Sequence, residues 1–206
     1  MDVMLEAERD RGELAELLAG LDPLDWEMPS LCAGWTVRDV VAHVLSYEGL
    51  GMAEVGARMI RGRLIFDRMT AVGLAEAAGS TPEDLMERLG EYPRPTGLTA
   101  AMGGAVGLVD GLIHQQDIRR PLGKPRPIDP ARLRFALKFA VTAPPLRGFW
   151  KVRGVRVIAT DVDWSFGRGA EARGPGEAVL MAMAGRAAAA HDLNGPGSPK
   201  LQNRFG

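Results

Sequence analysis

Leu5, Leu14, Leu17, Leu18 and Leu21 recur at helical spacing among charged residues and predict a first amphipathic helix, stopping around Gly20 and Asp22-Pro23. A loop from Trp26 to Trp35 follows and ends at Thr36. With Asp39 three residues on, Thr36 predicts a capping box in which aspartate replaces the usual glutamate. Val40, Val44 and Tyr47 mark the buried face of a second helix, expected to run to about Arg61. Gly62 to Gly79 keeps a mixed helical character without a clear break. Ser80-Thr81-Pro82-Glu83-Asp84 combines a capping hydroxyl, a first-turn proline and carboxylates at the positive helix end, so a short helix is expected from there to Gly90. The prolines of Tyr92-Pro93-Arg94-Pro95-Thr96-Gly97 make the next stretch a rigid loop.

Met102, Val106, Val109 and Ile113 predict a third long helix, closed by Arg119-Arg120-Pro121, where cations in the last turn and a following proline suit a helix terminus. Asp129-Pro130 opens a fourth, with Leu133, Leu137 and Val141 as its stripe and Pro144-Pro145 as its end. Four main helices suggest a bundle. From about Gly148 the pattern changes. Val155, Val157 and Ala159 alternate with Arg156 and Ile158, and Trp164-Ser165-Phe166 follows a short Asp161-Val162-Asp163 connection, which reads as a hairpin. Ala178 to Ala190 returns to helix before a turn-rich tail at Gly195-Pro196-Gly197-Ser198-Pro199. The expectation is a mainly α chain: a helical bundle over 1–147, then a small α+β domain over 148–206.

Composition narrows the function classes. Of 206 residues, 46% are hydrophobic and 25% charged, which is ordinary for a globular protein with a sizeable core. Lys+Arg number 25 against 26 Asp+Glu, so no overall electrostatic footprint for nucleic acid or an anionic membrane is present. No apolar run approaches a membrane span, and Met1 to Glu6 has neither a basic nor an apolar leader region. With a single cysteine, Cys32, excluding an internal disulfide framework, a cytoplasmic protein is expected.

The chemistry concentrates in Val109-Asp110-Gly111-Leu112-Ile113-His114-Gln115-Gln116-Asp117. Residues four apart on a helix stand one turn apart on one face, so Asp110 and His114 can offer an oxygen and a nitrogen to one point. That is half of a metal site. Only three histidines are present, and His43 lies on the buried side of the second helix, which makes it the candidate third ligand. Ligands converging from facing helices are an established way of building a metal centre in a bundle.

Three blocks, from Pro29 through Cys32-Ala33-Gly34-Trp35-Thr36 to His43, from His114-Gln115-Gln116-Asp117 to Gly123, and from Gly174-Pro175 to Ala184-Gly185-Arg186, resemble the mycothiol-dependent maleylpyruvate isomerase family. That family belongs to the DinB/YfiT-like metal-binding four-helix bundles, and the resemblance covers nearly the whole chain. It implies a divalent metal, usually zinc, on His43, Asp110 and His114, with mycothiol as cosubstrate. It places Arg186 near the thiol, as a catalytic and cosubstrate-binding residue. The isomerase carries glutamate where this chain has Asp110, so the shorter arm leaves three roles open: direct ligand, holder of a metal-bound water, or orienter of a histidine ring. The implied activity is isomerase or thiol S-transferase chemistry on a small anionic substrate. A metal-activated thiolate would add to a double bond, permit rotation and be expelled.

Alternatives stand beside each of these. A non-catalytic metal-dependent sensor or small-ligand binding module would keep the site without the chemistry, and a metal-dependent hydrolase would use hydroxide in place of sulfur. Cys32 reads first as a small buried apolar residue, and Asp117 either as a partner of the metal site or as a polar residue near a helix end. Arg119 and Arg120 are explained by the helix terminus, and His191 by a solvated helix end. Gly103, Gly104, Gly107 and Gly111 fall in one expected helix at a cost of about 1 kcal/mol each. Either a neighbouring helix approaches closely there, or Gly103 and Gly107 leave a cavity for the bulky thiol beside the metal. The expected partners are a small substrate and a low-molecular-weight thiol, with no nucleic acid or membrane, in a monomer or homodimer.

Overall fold

The computed structural model describes residues 1–144 and 146–205, with the backbone alone for Phe66 and Phe205. Two compact units result, Met1–Lys124 and Pro125–Gly206. The boundary expected near residue 148 falls inside the second of them.

The first unit runs α1 (Val3–Ala19), α2 (Val37–Leu45), α3 (Met52–Arg61), α4 (Phe66–Glu76), α5 (Pro82–Glu91) and α6 (Ala105–Arg119). Helices α1, α2, α5 and α6 form the bundle, with α5 and α6 each packed on both α1 and α2. Leu14, Leu18, Val40, Val44, Leu85, Leu89 and Ile118 meet in its core, while Leu5, at the start of the predicted stripe, stays exposed. Helix α6 is buried on almost every side: from Leu108 to Ile118 each residue except Asp110 is covered. A helix buried all round marks the centre of a fold, and it is this helix that carries the candidate ligands.

The capping chemistry read from the sequence is realised at two helix starts. Thr36 N–H donates to Asp39 Oδ2 at 2.9 Å while Asp39 N–H donates to Thr36 Oγ1 at 3.2 Å. Thr81 and Asp84 repeat the arrangement at 2.8 and 3.2 Å. Aspartate therefore reaches back far enough to serve as the second half of a capping box.

The second helix is shorter than expected. It ends at Leu45, and the turn Ser46 to Gly51 precedes α3, with Gly49 at φ +71° and in contact with the Tyr92 hydroxyl where a Cβ would stand. This turn carries Glu48, fully buried and gripped from three sides. Arg11 of α1 pairs with its Oε1, Thr99 Oγ1 donates to the same oxygen at 2.5 Å, and the Thr96 N–H and hydroxyl donate to Oε2 at 2.8 and 2.9 Å. Arg11 also donates to the Tyr92 carbonyl at 2.8 Å, and Arg88 to the Glu48 carbonyl at 2.8 Å. A buried carboxylate is tolerated only with such partners.

The third long helix also starts late. Met102, Gly103 and Gly104 all have positive φ, at 56°, 69° and 90°, so the helix begins only at Ala105. Gly104 is confined to glycine twice over, by its φ and because a Cβ would stand 2.9 Å from the Met4 Cα.

The second unit contains α7 (Pro130–Thr142), α8 (Gly148–Lys151), β1 (Val155–Ala159), β2 (Ser165–Gly167), β3 (Ala170–Gly174), α9 (Gly176–Met183), α10 (Ala187–Ala190) and α11 (Ser198–Phe205). Helix α7, expected as the fourth of the bundle, packs on α9 instead. Its start is as predicted, the Asp129 carboxylate accepting from the Ala131 and Arg132 N–H groups at 2.9 and 3.1 Å. Pro145, expected to help end it, lies outside the described residues.

The expected hairpin is present as antiparallel β1 and β2, with Val157 opposite Phe166, but β3 adds a third strand parallel to β1 on its other side. Gly167 and Gly169, at φ +91° and +122°, let the chain cross close over the start of β1, where a Cβ on either would strike the Val155 or Gly154 carbonyl. The single helix expected over Ala178 to Ala190 is broken between α9 and α10 by Gly185 at φ +92°. The architecture is thus mainly helical, a helical bundle followed by a small mixed α+β region, and no helix among the described residues is long and apolar enough to cross a membrane.

Candidate metal centre

Asp110 and His114 sit one turn apart on α6, and His43 faces them from α2 on the turn between Val40 and Tyr47. One ligand atom from each of His43, Asp110 and His114 lies within 4.8 Å of the other two. His114 Nε2 is 3.4 Å from Asp110 Oδ1, and the two imidazole rings meet edge to face, with centroids 4.9 Å apart and planes at 76°. Donors bound to one zinc ion at about 2.0–2.2 Å stand roughly 3–4 Å apart. Small side-chain adjustments would bring this set to that spacing. Two neutral imidazoles and a carboxylate are chemically suited to a borderline divalent ion.

Burial differs among the three. His114 is buried at 8% exposure, whereas His43 and Asp110 are half-buried, so the cluster opens on their side. Trp35 lies 5.3 Å from His43 ring to ring, and Tyr47 stands edge-on to it at 6.4 Å. Arg58 lies over the Tyr47 ring at 4.9 Å. Burial pushes the Tyr47 hydroxyl above its usual pKa, opposed by Arg58 and reinforced by the Asp110 charge.

A second cluster uses the opposite nitrogen of the same ring. Asp117 Oδ2 is 2.9 Å from His114 Nδ1, and the Cys32 thiol donates to that oxygen at 3.2 Å. Cys32, His114 and Asp117 also satisfy the 4.8 Å spacing of a potential ligand set. Asp117 is completely buried, so this side of the ring faces the interior. The i,i+3 spacing made Asp117 findable. Cys32 is half-buried beside a carboxylate from 85 residues away, a placement no local pattern announces.

Gly103 lies outside α6, exposed and with open space around it, so it cannot stand above Asp110 as a continuous helix would place it. Over Gly107 the space is filled, since a Cβ would come within 2.9 Å of Pro95 Cγ and 3.0 Å of the Thr99 carbonyl, which accepts the Gly107 N–H at 2.9 Å. Gly111 makes room for the buried Asp10 carboxylate of α1. Close approach explains Gly107 and Gly111. Gly107→Leu should therefore cost about 1–3 kcal/mol through overpacking. A urea unfolding midpoint unchanged from wild type would contradict this.

Arg186 lies in the second unit at the start of α10, half-buried, with Nη1 donating to the Ala184 carbonyl at 2.9 Å. Arg119 is engaged structurally, donating to Gln115 Oε1 at 3.2 Å and to the Glu13 carbonyl of α1 at 3.1 Å.

The electrostatics of His114 give a pH dependence. Burial works against its charge, but Asp110 and Asp117, with a contribution from Cys32, outweigh burial and hold the imidazolium well above the usual histidine pKa. A proton bound more tightly by the folded chain stabilises it fully below the unfolded pKa of about 6.5, and this contribution is lost as the pH rises through the raised folded value. In metal-free protein the melting-temperature advantage of wild type over His114→Gln should thus be largest below the unfolded histidine pKa of about 6.5 and shrink as the pH is raised above it. An advantage growing with pH would show that the carboxylates do not hold the charge. Metal has to displace the same proton, so zinc affinity should climb over the same range.

A domain matching the family model described as the mycothiol maleylpyruvate isomerase N-terminal domain is present over residues 7–96. The match includes Cys32 and His43 and ends before Asp110, His114 and Asp117. No curated protein and no solved structure matches the chain.

Proposed function

With a mycothiol maleylpyruvate isomerase N-terminal domain matched over residues 7–96, we propose that the chain is a metal-dependent enzyme using a low-molecular-weight thiol of the mycothiol kind. The reaction is isomerisation or S-transfer on a small anionic substrate. The convergence of His43, Asp110 and His114 from two helices onto one point carries the reading.

His43, Asp110 and His114 would hold a divalent ion such as zinc, which would supply an open position for a thiol sulfur and favour its thiolate form. The chain's own groups prepare that position. His43 offers a ring nitrogen, His114 offers another once its proton is displaced, and Asp110 contributes negative charge from the half-buried side. Trp35 and Tyr47 flank His43 and keep the surroundings partly dry, which strengthens each electrostatic contact. Arg186 is proposed for the thiol cosubstrate, the role that the family resemblance implies for it, as a cation that keeps its charge at all relevant pH values.

Three measurements test the reading: elemental analysis of the purified full chain, calorimetry with mycothiol, and turnover of maleylpyruvate in its presence. Expected are about one equivalent of zinc or a similar ion, thiol binding that requires the metal, and thiol-dependent turnover weakened in Arg186→Ala. Metal and thiol binding without turnover of maleylpyruvate or other activated double bonds would favour a binding module. Metal-dependent ester or amide cleavage without thiol would favour a hydrolase.

A further inference from the structure

The inner side of His114 contains an arrangement that metal binding itself does not require. The fully buried Asp117 places Oδ2 at 2.9 Å from His114 Nδ1, and the Cys32 thiol donates to the same oxygen at 3.2 Å. Cys32 Sγ is also 3.9 Å from His114 Nδ1. The loop carrying Cys32 is fastened to both neighbours. Leu31 N–H donates to the Asp117 carbonyl at 3.0 Å, Ser30 Oγ donates to the Trp35 carbonyl at 2.9 Å, and Cys32 N–H donates to Ser30 Oγ at 3.1 Å. Position 32 is thereby held against α6 by backbone as well as by side chain.

A neutral imidazole carries one N–H, and an ionised carboxylate can only accept. Beside Asp117 that proton belongs on Nδ1, and the Nε2 lone pair is left facing Asp110 and His43. We propose that Asp117 is the positioning residue that fixes the orientation and tautomer of His114 for metal binding, and that Cys32, by donating to its Oδ2, holds that carboxylate in place.

Cys32 is half-buried and packs against the bundle core, with its thiol directed at Asp117. This inference rests on the metal reading proposed above.

The test is zinc affinity of the full chain by competition with a chelating indicator, for wild type, Asp117→Asn, Cys32→Ala and Cys32→Ser. It is joined by the histidine nitrogen NMR spectrum of the zinc-loaded proteins. Asp117→Asn should lose about 10–100-fold in affinity and show a mixture of His114 tautomers where wild type shows the Nδ1–H form alone. Cys32→Ser keeps a donor and should bind as wild type does, while Cys32→Ala should bind several-fold more weakly. A folded Asp117→Asn with wild-type affinity and spectrum would overturn the positioning role. Should that variant fail to fold, the cysteine pair decides: equal affinities for Cys32→Ala and Cys32→Ser overturn the proposal. Wild type that binds no zinc overturns the metal reading as well, so the two failures are told apart by the wild-type titration.

Discussion

His43→Ala and His114→Ala should each reduce zinc affinity by more than about 100-fold, beyond the range expected for residues that only support a ligand. Both contribute an imidazole to the same point, and neither has a substitute imidazole within the cluster. Asp110→Asn provides the internal scale. Its carboxylate is within the same 4.8 Å set despite the short arm, so a loss comparable with the histidine variants marks direct ligation. A loss of about 10–100-fold marks a role in orienting His114, whose Nε2 it faces at 3.4 Å. Zinc titrations by chelator competition measure all three. Wild-type affinity surviving both histidine substitutions would remove this site.

The largest stability effect is expected at Arg11, which is not among the candidate ligands. Arg11→Met leaves the Glu48 carboxylate buried with its threonine donors but no cation, at an expected cost of about 3–5 kcal/mol in urea unfolding. The double variant Arg11→Met/Glu48→Gln should recover part of that loss, because the stranded charge is gone. A single variant within about 0.5 kcal/mol of wild type would mean that the hydroxyls and amide of Thr96 and Thr99 suffice for Glu48, contrary to the usual penalty.

What could be read from the sequence followed the range over which each interaction acts. The capping box at Thr36, the capping hydroxyl and first-turn proline at Thr81-Pro82 and the proline start at Pro130 are local, and each appears where the residues predict it. The pairing of Asp110 with His114 is one helical turn, and His43 followed from the scarcity of histidines together with its place on a buried face. Errors arose where a distant segment decides. Helix two stops at Leu45 because the turn after it is built around Glu48, whose partners come from α1 and from the loop before α6. The late start of α6 reflects three consecutive positive φ angles at Met102, Gly103 and Gly104, and only a helix pattern was visible there. β3 was missed since Ala170-Glu171-Ala172-Arg173-Gly174 has no large apolar residue to betray its alternation. The glycines of α6 illustrate the same limit. Their rarity in helices signalled that something approaches, and the structure identifies it as Pro95, Thr99 and Asp10.

The separation of the donors along the chain also sets an order of events during synthesis. His43 emerges long before Asp110 and His114, and Cys32 meets Asp117 only across 85 residues. Contacts of such reach are closed late, after loop entropy has been spent on them. A nascent chain that has not yet exposed α6 offers one imidazole of the three-donor set and has no central helix to pack against, so it cannot capture an ion tightly. Metal acquisition by the proposed site would thereby be deferred until the whole bundle has left the ribosome, and a translation product truncated within the first hundred residues should bind zinc far more weakly than the full chain in a chelator competition.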